Sequence, residues 1–94
     1  MKFEWDRKKA ESNLAKHGIS FEEARTVFYD ENARLIDDPD HSGDEDRFIL
    51  MGISQGLRII TVCHCYRDED RIRLISARKA TKQEKHFYQG DRHA

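Results

Sequence analysis

The stretch RFILMGISQGLRIITVCHCY, residues 47–66, decides the fold of this chain. Two runs of apolar, β-branched and aromatic residues lie on either side of the pair Gln55-Gly56. Such residues are enriched in strands, and two runs separated by a short glycine-containing turn are typical of a β-hairpin. The stretch therefore predicts two antiparallel strands, 47–54 and 57–66, joined by a tight turn.

The segment after the hairpin predicts one more strand of the same sheet and then a helix. Asp68-Glu-Asp70 reads as a turn, and the strand 71–76 would place Arg71 and Arg73 on one side and apolar residues on the other. A C-terminal helix follows. It begins with the capping box Thr81-x-x-Glu84 and ends near Gly90, and we expect its Phe87 to pack in the core.

The segment before the hairpin predicts two short helices and a strand. Asp6 is placed to cap the first helix, which ends at Gly18. A second capping box, Ser20-Phe-Glu-Glu23, opens a helix that we expect to end near Asp30. Residues 33–37 then predict a short strand, because a brief apolar pair is followed at once by turn residues.

The order of elements predicts an α+β fold with two N-terminal helices, an antiparallel four-stranded sheet and a C-terminal helix. We expect the helices to pack on one face of the sheet and to leave the other face uncovered. A chain of 94 residues is one domain, 1–94, because it can bury only a single core.

Charge is distributed unevenly along the chain. The net charge of -1 combines an acidic balance of -8 over residues 21–46 with basic balances of +2, +2 and +3 over residues 1–20, 47–66 and 67–94. Such a chain can turn a basic surface toward a polyanion, although solvated surface charge explains the pattern equally well. No apolar run is long enough for a membrane helix or a signal peptide, and two cysteines placed at i and i+2 suit a reducing compartment. We therefore expect a cytoplasmic protein that has no membrane contact.

Motifs spread over nearly the whole chain carry a family resemblance. They are Phe3-Glu-Trp-Asp6, Asn13-Leu-x-Lys-His-Gly-Ile-Ser-Phe-Glu-Glu-Ala24, Phe28-x-Asp30, Arg47-Phe-x-x-x-Gly52, and Arg73-x-Ile-Ser-Ala-Arg-Lys-Ala80 with Glu84 and Tyr88. In this order the motifs resemble the BrnT toxins of bacterial type II toxin–antitoxin pairs. Cys63 and Cys65 depart from that pattern, because the family more often has an aliphatic residue and a threonine there.

The resemblance implies a fold similar to that of the RelE ribonucleases and an RNA-cleaving activity that halts translation. It also implies an antitoxin partner, BrnA, which has a ribbon-helix-helix DNA-binding part. Such pairs typically form a toxin–antitoxin heterotetramer that represses its own operon, so operator DNA would be contacted only through the antitoxin. None of these properties follows from composition or periodicity.

Cleaving RNA without a metal ion requires that the 2′-oxygen lose its proton, that charge on the phosphoryl oxygens be stabilised, and that the leaving 5′-oxygen gain a proton. Arginine suits the second task, because its fork binds phosphate in a bidentate way and stays charged. Arg67, Arg73 and Arg78 are our candidates for phosphate and transition-state contacts. The competing interpretation of each is a strand arginine that covers apolar surface.

Two further residues are candidates for the catalytic groups. His64 has a suitable ordinary pKa for a general base, and Tyr88 could donate a proton or stack on a base. A packing role competes for both. Lys79 and Lys82 are candidates for contacts with the RNA backbone.

We expect neither a cofactor nor a metal ion. The sequence has no Gly-rich phosphate loop, and a regular strand directs His64 away from Cys63 and Cys65, so the three cannot bind one ion. The acidic segment 37–46 with His41 lacks the spacing of a calcium loop and reads as a solvated loop or as a contact for a basic antitoxin segment.

Two positions near the first helices are weaker candidates for chemistry. His17 fits a structural place at a helix C-terminus better than a catalytic one, and Glu22 is a weak candidate for proton transfer. Without the resemblance, the sequence would fit a non-catalytic nucleic-acid-binding or adaptor module as well as it fits an endoribonuclease.

Overall fold

The computed structural model describes residues 1–38 and 46–90. Its strands are β1 (Lys2–Glu4), β2 (Arg34–Asp37), β3 (Phe48–Ile53), β4 (Ile59–Tyr66) and β5 (Arg71–Lys79). Its α-helices are α1 (Arg7–His17), α2 (Phe21–Arg25) and α3 (Lys82–Gln89), and a 3-10 turn, Thr26–Tyr29, continues α2. The prediction of an α+β fold with two N-terminal helices and a C-terminal helix is confirmed. No helix in the described ranges is long and apolar enough to cross a membrane.

The five strands form one mixed sheet in the order β1-β5-β4-β3-β2. The four predicted strands pair in an antiparallel way, as expected. The prediction of four strands was nevertheless wrong, because β1 adds a fifth that runs parallel to β5. Lys2 N–H donates to the Asp70 carbonyl at 2.7 Å. A three-residue strand that pairs with a segment about 70 positions away leaves no local periodicity to detect.

The β3–β4 connection is longer than the predicted two-residue turn. Ser54 N–H donates to the Arg58 carbonyl at 2.8 Å, and Leu57 N–H donates to the Ser54 carbonyl at 2.9 Å. Leu57, with φ of 62°, is the residue in the left-handed conformation. Strand β4 therefore begins at Ile59, two residues later than we predicted.

The caps of the N-terminal helices follow the sequence in part. Asp6 accepts hydrogen bonds from the N–H groups of Lys8 and Lys9 at 2.8 and 3.1 Å, and α1 ends at Gly18 with φ of 71°, as predicted. Ser20 accepts from Glu23 N–H at 3.0 Å. The Glu23 carboxylate, however, bonds to Arg58 and Ser54 on the β3–β4 connection. The second capping box is therefore only half formed.

Helices α1 and α2 and the 3-10 turn pack on one face of the sheet and bury the core there. Its fully or nearly fully buried residues are Ile19, Phe21, Ala24, Val27, Leu50, Ile60, Val62, Ile72, Leu74 and Ala77. Leu50, Val62 and Leu74 lie on neighbouring strands, so the pleat directs residues at alternate positions into this core.

A β-bulge interrupts that alternation between β4 and β5. Cys63 pairs with Ser76, but the next residue, His64, pairs with Leu74. Ile75 is therefore an extra residue on β5, and Leu74 and Ala77 both face the core although three positions separate them. The residues at the alternate positions, Arg73, Ser76 and Arg78, consequently share the opposite face.

Asn13 on α1 stabilises the strand beside this bulge. Its Nδ2 donates to the carbonyls of Ile19 and Ala77 at 2.9 and 2.8 Å, and its Oδ1 accepts from Ala77 N–H at 3.0 Å. Because β1 pairs with β5 only as far as Arg73, the outer backbone groups of Ala77 have no neighbouring strand. The buried Asn13 amide takes the place of that strand's peptide group.

Helix α3 lies on the opposite side of the sheet from α1 and α2. Arg34 and Arg78, which point away from the core, bond to the Tyr88 carbonyl and to the Glu84 carboxylate of α3. The expectation that all helices share one face was wrong, and among residues 1–38 and 46–90 the helix α3 covers only part of the second face. The capping box of α3 is complete, as predicted, with Thr81 and Glu84 each bonded to the other's backbone N–H.

We expect Asn13→Ala to lower the free energy of unfolding by about 2–4 kcal/mol, because it leaves the buried N–H and C=O of Ala77 unpaired. Urea unfolding followed by circular dichroism measures the change. The control is Ser12→Ala, an exposed polar position on the same helix, which should change stability by less than about 0.5 kcal/mol. Equal effects of the two substitutions would contradict the bridging role of Asn13.

Candidate functional site

The open part of the second sheet face carries a line of arginines. Arg73, Ser76 and Arg78 on β5 lie beside Cys65, Cys63 and Thr61 on β4. The row extends over four steps along β4, from Thr61 to Cys65, which corresponds to about 13 Å. We call Arg73, Ser76 and Arg78, with Arg67 at the adjoining turn, the arginine face. The bulge at Ile75 creates it, since Arg73 and Arg78 would otherwise point to opposite sides.

Arg78 is held by a bidentate ion pair with Glu84. Its Nη1 and Nη2 donate to the two oxygens of Glu84 at 2.7 and 2.9 Å, and Nη1 also donates to the Lys79 carbonyl at 3.3 Å. The Arg78 side chain is still 42% exposed. The Arg78 guanidinium, with help from Thr81 N–H, lowers the pKa of the Glu84 carboxyl from 4.5 to about 2. Glu84 is therefore charged at neutral pH and too weak a base to remove a proton there.

Arg73 is paired with a carboxylate from the strand that we did not predict. Its Nη1 donates to Glu4 on β1 at 3.1 Å, and Arg71 approaches the same carboxylate at 3.6 Å. Arg71 and Arg73 share a side of β5, as predicted. The Arg73 side chain is 34% exposed, so an anion can reach it only beside Glu4 or by displacing it.

Arg67 lies at the end of the arginine face. It is exposed, directly follows β4, and donates its backbone N–H to the Arg71 carbonyl at 2.9 Å, which closes the β4–β5 turn. Asp70 N–H bonds to the Asp68 carboxylate at 3.0 Å inside that turn. The structure thus places Arg73 and Arg78 on one side of β5 and Arg67 at the turn that precedes this strand.

His64 does not reach this face. Its ring is fully buried on the core side, 4.8 Å from the Phe28 ring, with Nδ1 against the Val62 carbonyl and Nε2 against the Tyr66 hydroxyl. Burial lowers the pKa of His64. The prediction that His64 contacts RNA as a base does not fit this position, because the pleat directs it inward with Val62.

Tyr88 is also buried, whereas its neighbour Phe87 is exposed. The Tyr88 side chain is 1% exposed, and its hydroxyl donates to Asp30 Oδ2 at 2.5 Å. Phe87 is 47% exposed, with the Arg34 guanidinium 5.1 Å above its ring. The prediction that Phe87 packs in the core was therefore wrong, whereas Tyr88 has the packing role that competed with its functional one. Helix α3 docks through Tyr88 because only the tyrosine can bond to the half-buried Asp30 carboxylate.

The predicted cations near α3 are accessible, while other candidates lie elsewhere. Lys79 and Lys82 are exposed on either side of the link between β5 and α3. His17 and the exposed Glu22 belong to the helices on the other face of the sheet. His41 and most of the acidic segment that we considered as an antitoxin contact lie outside the described residues.

No group of three or more possible metal ligands occurs within residues 1–38 and 46–90. Cys63 is partly buried and its Sγ lies 3.7 Å from Asp38 Oδ2. Burial and the charge of Asp38 raise the pKa of this thiol to about 11. Cys63 is therefore a thiol at neutral pH and neither a strong nucleophile nor a ready ligand.

A cleft of about 780 Å³ lies beside the 3-10 turn, on the helical side of the molecule. Phe3, Arg25, Tyr29 and Gln55 are among the residues that line it. None of the predicted site residues contributes to this cleft. The arginine face is an elongated row about 13 Å long, which suits an extended polymer better than a small molecule.

Two carboxylates of the site were missed at the level of sequence. Glu84 was recognised as a capping residue and as part of the family motif but not as a partner of Arg78, and Glu4 was assigned no role because β1 was not predicted. The Thr81-x-x-Glu84 signal fixes where Glu84 lies on its helix, but a bond to a strand residue needs the tertiary fold. No local pattern points to Glu4.

Comparisons with known proteins agree with the resemblance seen in the motifs. The family model described as "Ribonuclease toxin, BrnT, of type II toxin-antitoxin system" matches residues 5–84, a range that includes Arg67, Arg73, Arg78 and Glu84. Two solved chains match the structure. One is the crystal structure of the Brucella abortus ribonuclease toxin BrnT, with a TM-score of 0.67 and 27% sequence identity over 87% of this chain and 99% of that chain. A search of curated proteins found no match.

We expect the free energy of unfolding to fall as the pH is lowered from about 4.5 to about 2, in part through Glu84. Because Arg78 lowers the pKa of Glu84 in the folded protein, the stability that the charged Glu84 adds is fully present above pH 4.5. It is lost as the pH falls through about 2. Urea unfolding at both ends of the window should show a smaller loss for Glu84→Gln than for the wild type. The exposed Glu11→Gln on α1 is the control, and identical losses in all three proteins would contradict the Arg78–Glu84 pairing.

Tyr88→Phe should lower the free energy of unfolding by about 1–2 kcal/mol, because it removes the donor that binds Asp30 in a buried place. The matched control is Tyr29→Phe, since Tyr29 is 66% exposed and should change stability by less than about 0.5 kcal/mol. Urea unfolding measures both variants. If Tyr88→Phe lowers the free energy of unfolding no more than Tyr29→Phe does, the bond to Asp30 does not hold α3 on the sheet.

Proposed function

The chain belongs to the BrnT family of ribonuclease toxins of type II toxin–antitoxin systems, and from this premise we propose that it is an endoribonuclease that cleaves RNA without a metal ion and so inhibits translation. The observation that supports this proposal is the arginine face. Bidentate phosphate donors on an open sheet surface are what a metal-free cleavage of an extended strand requires. The similar Brucella abortus protein is described as a ribonuclease toxin, which agrees with this activity.

The proposed reaction is an attack of a 2′-oxygen on the adjacent phosphorus. The 2′-hydroxyl gives its proton to water as the O–P bond to the 2′-oxygen forms, and the 5′-oxygen takes up a proton from water as its bond to phosphorus breaks. A 2′,3′-cyclic phosphate and a 5′-hydroxyl result. Arg78 and Arg73 stabilise the additional negative charge on the phosphoryl oxygens, and they do so more strongly in the transition state than in the bound substrate. Arg67, Lys79 and Lys82 hold the flanking backbone through salt-sensitive contacts.

The proposal assigns His64 and Tyr88 to the structure of the protein rather than to contact with RNA. Both are at most 1% exposed, and each is bonded within the fold. A fully buried ring cannot reach a 2′-hydroxyl on the open face. Their part in the reaction is to keep β4 and α3, and therefore the arginines, in place.

A type II system includes a protein antitoxin, and we propose that the antitoxin is a BrnA-like protein with a ribbon-helix-helix part. In this proposal it covers the arginine face, forms a heterotetramer with the toxin, and alone contacts operator DNA. The free toxin acts in the cytoplasm, where its RNA substrate is found.

Arg78→Ala should reduce RNA cleavage by at least about 100-fold, because it removes one preorganised donor to the developing charge. The assay incubates purified protein with a long single-stranded RNA in excess EDTA and identifies the new 3′ ends. Cyclic phosphate ends that disappear when the protein encoded by the adjacent gene is added would support the whole proposal. We expect Arg73→Ala and Arg67→Ala to weaken cleavage as well.

The control is Arg7→Ala on α1, whose side chain is 94% exposed and which should cleave like the wild type. RNA that stays intact with folded wild-type protein, in EDTA and also with ribosomes present, would contradict the endoribonuclease. RNA binding without cleavage, with only a reduced salt slope in Arg78→Ala, would establish the non-catalytic binding module instead.

A further inference from the structure

The Arg78 guanidinium has five N–H groups, and the fold uses three of them. Nη1 donates to Glu84 and to the Lys79 carbonyl, and Nη2 donates once to Glu84. The Nε–H and the second Nη2–H bond to none of the described residues. These two groups point the same way on one edge of the guanidinium plane and form the side-on fork that matches two phosphate oxygens.

Glu84 is itself fixed from two directions. Thr81 N–H donates to Glu84 Oε1 at 2.8 Å, and Glu84 N–H donates to Thr81 Oγ1 at 3.1 Å. The link from β5 to α3 is hydrogen-bonded to the sheet, because Ala80 N–H donates to the Ile59 carbonyl of β4 at 3.0 Å. The far end of α3 is fixed by the bond from buried Tyr88 to Asp30.

We propose that Glu84 is a positioning residue that holds Arg78 by its Nη1/Nη2 edge and so presents the Nε/Nη2 edge to a phosphate group of the RNA backbone. An arginine side chain has several rotatable bonds, and ordering it costs free energy when a ligand binds. Because Glu84 already orders the Arg78 side chain in the folded protein, this free energy is not lost again when RNA binds. The reacting phosphate then meets a donor pair that is already aligned.

Two simpler roles for Glu84 make different predictions. As a general base it would have to accept a proton near neutral pH, but its pKa of about 2 makes it a poor acceptor. As a helix cap alone it could be replaced by glutamine, because glutamine forms the same capping box. Glu84→Gln therefore separates positioning from capping. The glutamine amide still forms the capping box, but it cannot form the bidentate ion pair with Arg78.

The kinetic test, which rests on the proposed function, compares wild type, Glu84→Gln, Arg78→Ala and the double variant on one RNA. We expect Glu84→Gln to lower kcat by about tenfold or more with less than about threefold change in KM. The double variant should be no slower than Arg78→Ala alone, because both changes remove one aligned group. Glu11→Gln, the matched exposed helical position, should stay within about twofold of wild type. A normal kcat in folded Glu84→Gln, or additive losses in the double variant, would overturn the proposal.

A second measurement does not depend on cleavage. The Nε–H signal of Arg78 in a nitrogen-15 NMR spectrum, identified by its loss in Arg78→Lys, reports whether the guanidinium is ordered. We expect an ordered signal that shifts when inorganic phosphate is added to wild type, and a mobile signal with a much smaller shift in Glu84→Gln. An equally ordered and equally responsive signal in Glu84→Gln would overturn the positioning role. If wild type cleaves no RNA, the proposed function fails, while this signal still decides the role of Glu84.

Discussion

One extra residue in β5 decides where the chemistry of this protein lies. The bulge at Ile75 lets Leu74 and Ala77 both enter the core, and it turns Arg73 and Arg78 to the same side although five positions separate them. A regular strand would have buried one of the two guanidinium groups against α1, at a desolvation cost of several kcal/mol. The register therefore has to be fixed. Asn13 does this, because its amide binds both outer backbone groups of Ala77 where β1 has ended.

The arginine face is nearly balanced in charge, and this decides what its ion pairs contribute. Glu4 and Glu84 neutralise Arg73 and Arg78, so attraction of a polyanion from a distance falls mainly to exposed cations such as Lys79 and Lys82. Exposed ion pairs add only about 0–1 kcal/mol to stability. The pairs are therefore more important for the orientation of the guanidinium groups than for the stability of the fold. An oriented donor stabilises charge in a transition state without having to reorganise.

The sequence was sufficient wherever the determining residues are close neighbours along the chain. The hairpin, the Asp6 and Ser20 caps and the capping box of α3 are all local, and all of them formed. The errors share a different cause. Strand β1 forms by pairing with β5, which is distant in the sequence. The Glu23 carboxylate bonds to Arg58, 35 positions away, and does not cap its own helix. The wrong placement of Phe87 in the core has the same origin, because the helix is oriented by the bond from Tyr88 to Asp30 in another part of the chain.

Residues from three of the motifs that carry the family resemblance form one chain of contacts. Gly52 leaves room for the Asp30 carboxylate, since a Cβ at Gly52 would lie 2.8 Å from Asp30 Oδ2 and 2.9 Å from Val27. Asp30 then accepts from Ile53 N–H at 2.8 Å and from the Tyr88 hydroxyl, which joins β3 to α3. Helix α3 carries Glu84 to Arg78. Residues scattered over the sequence from Asp30 to Tyr88 thus act on one guanidinium group, and the position of Arg78 depends on a glycine of β3 and on an aspartate at the end of the 3-10 turn.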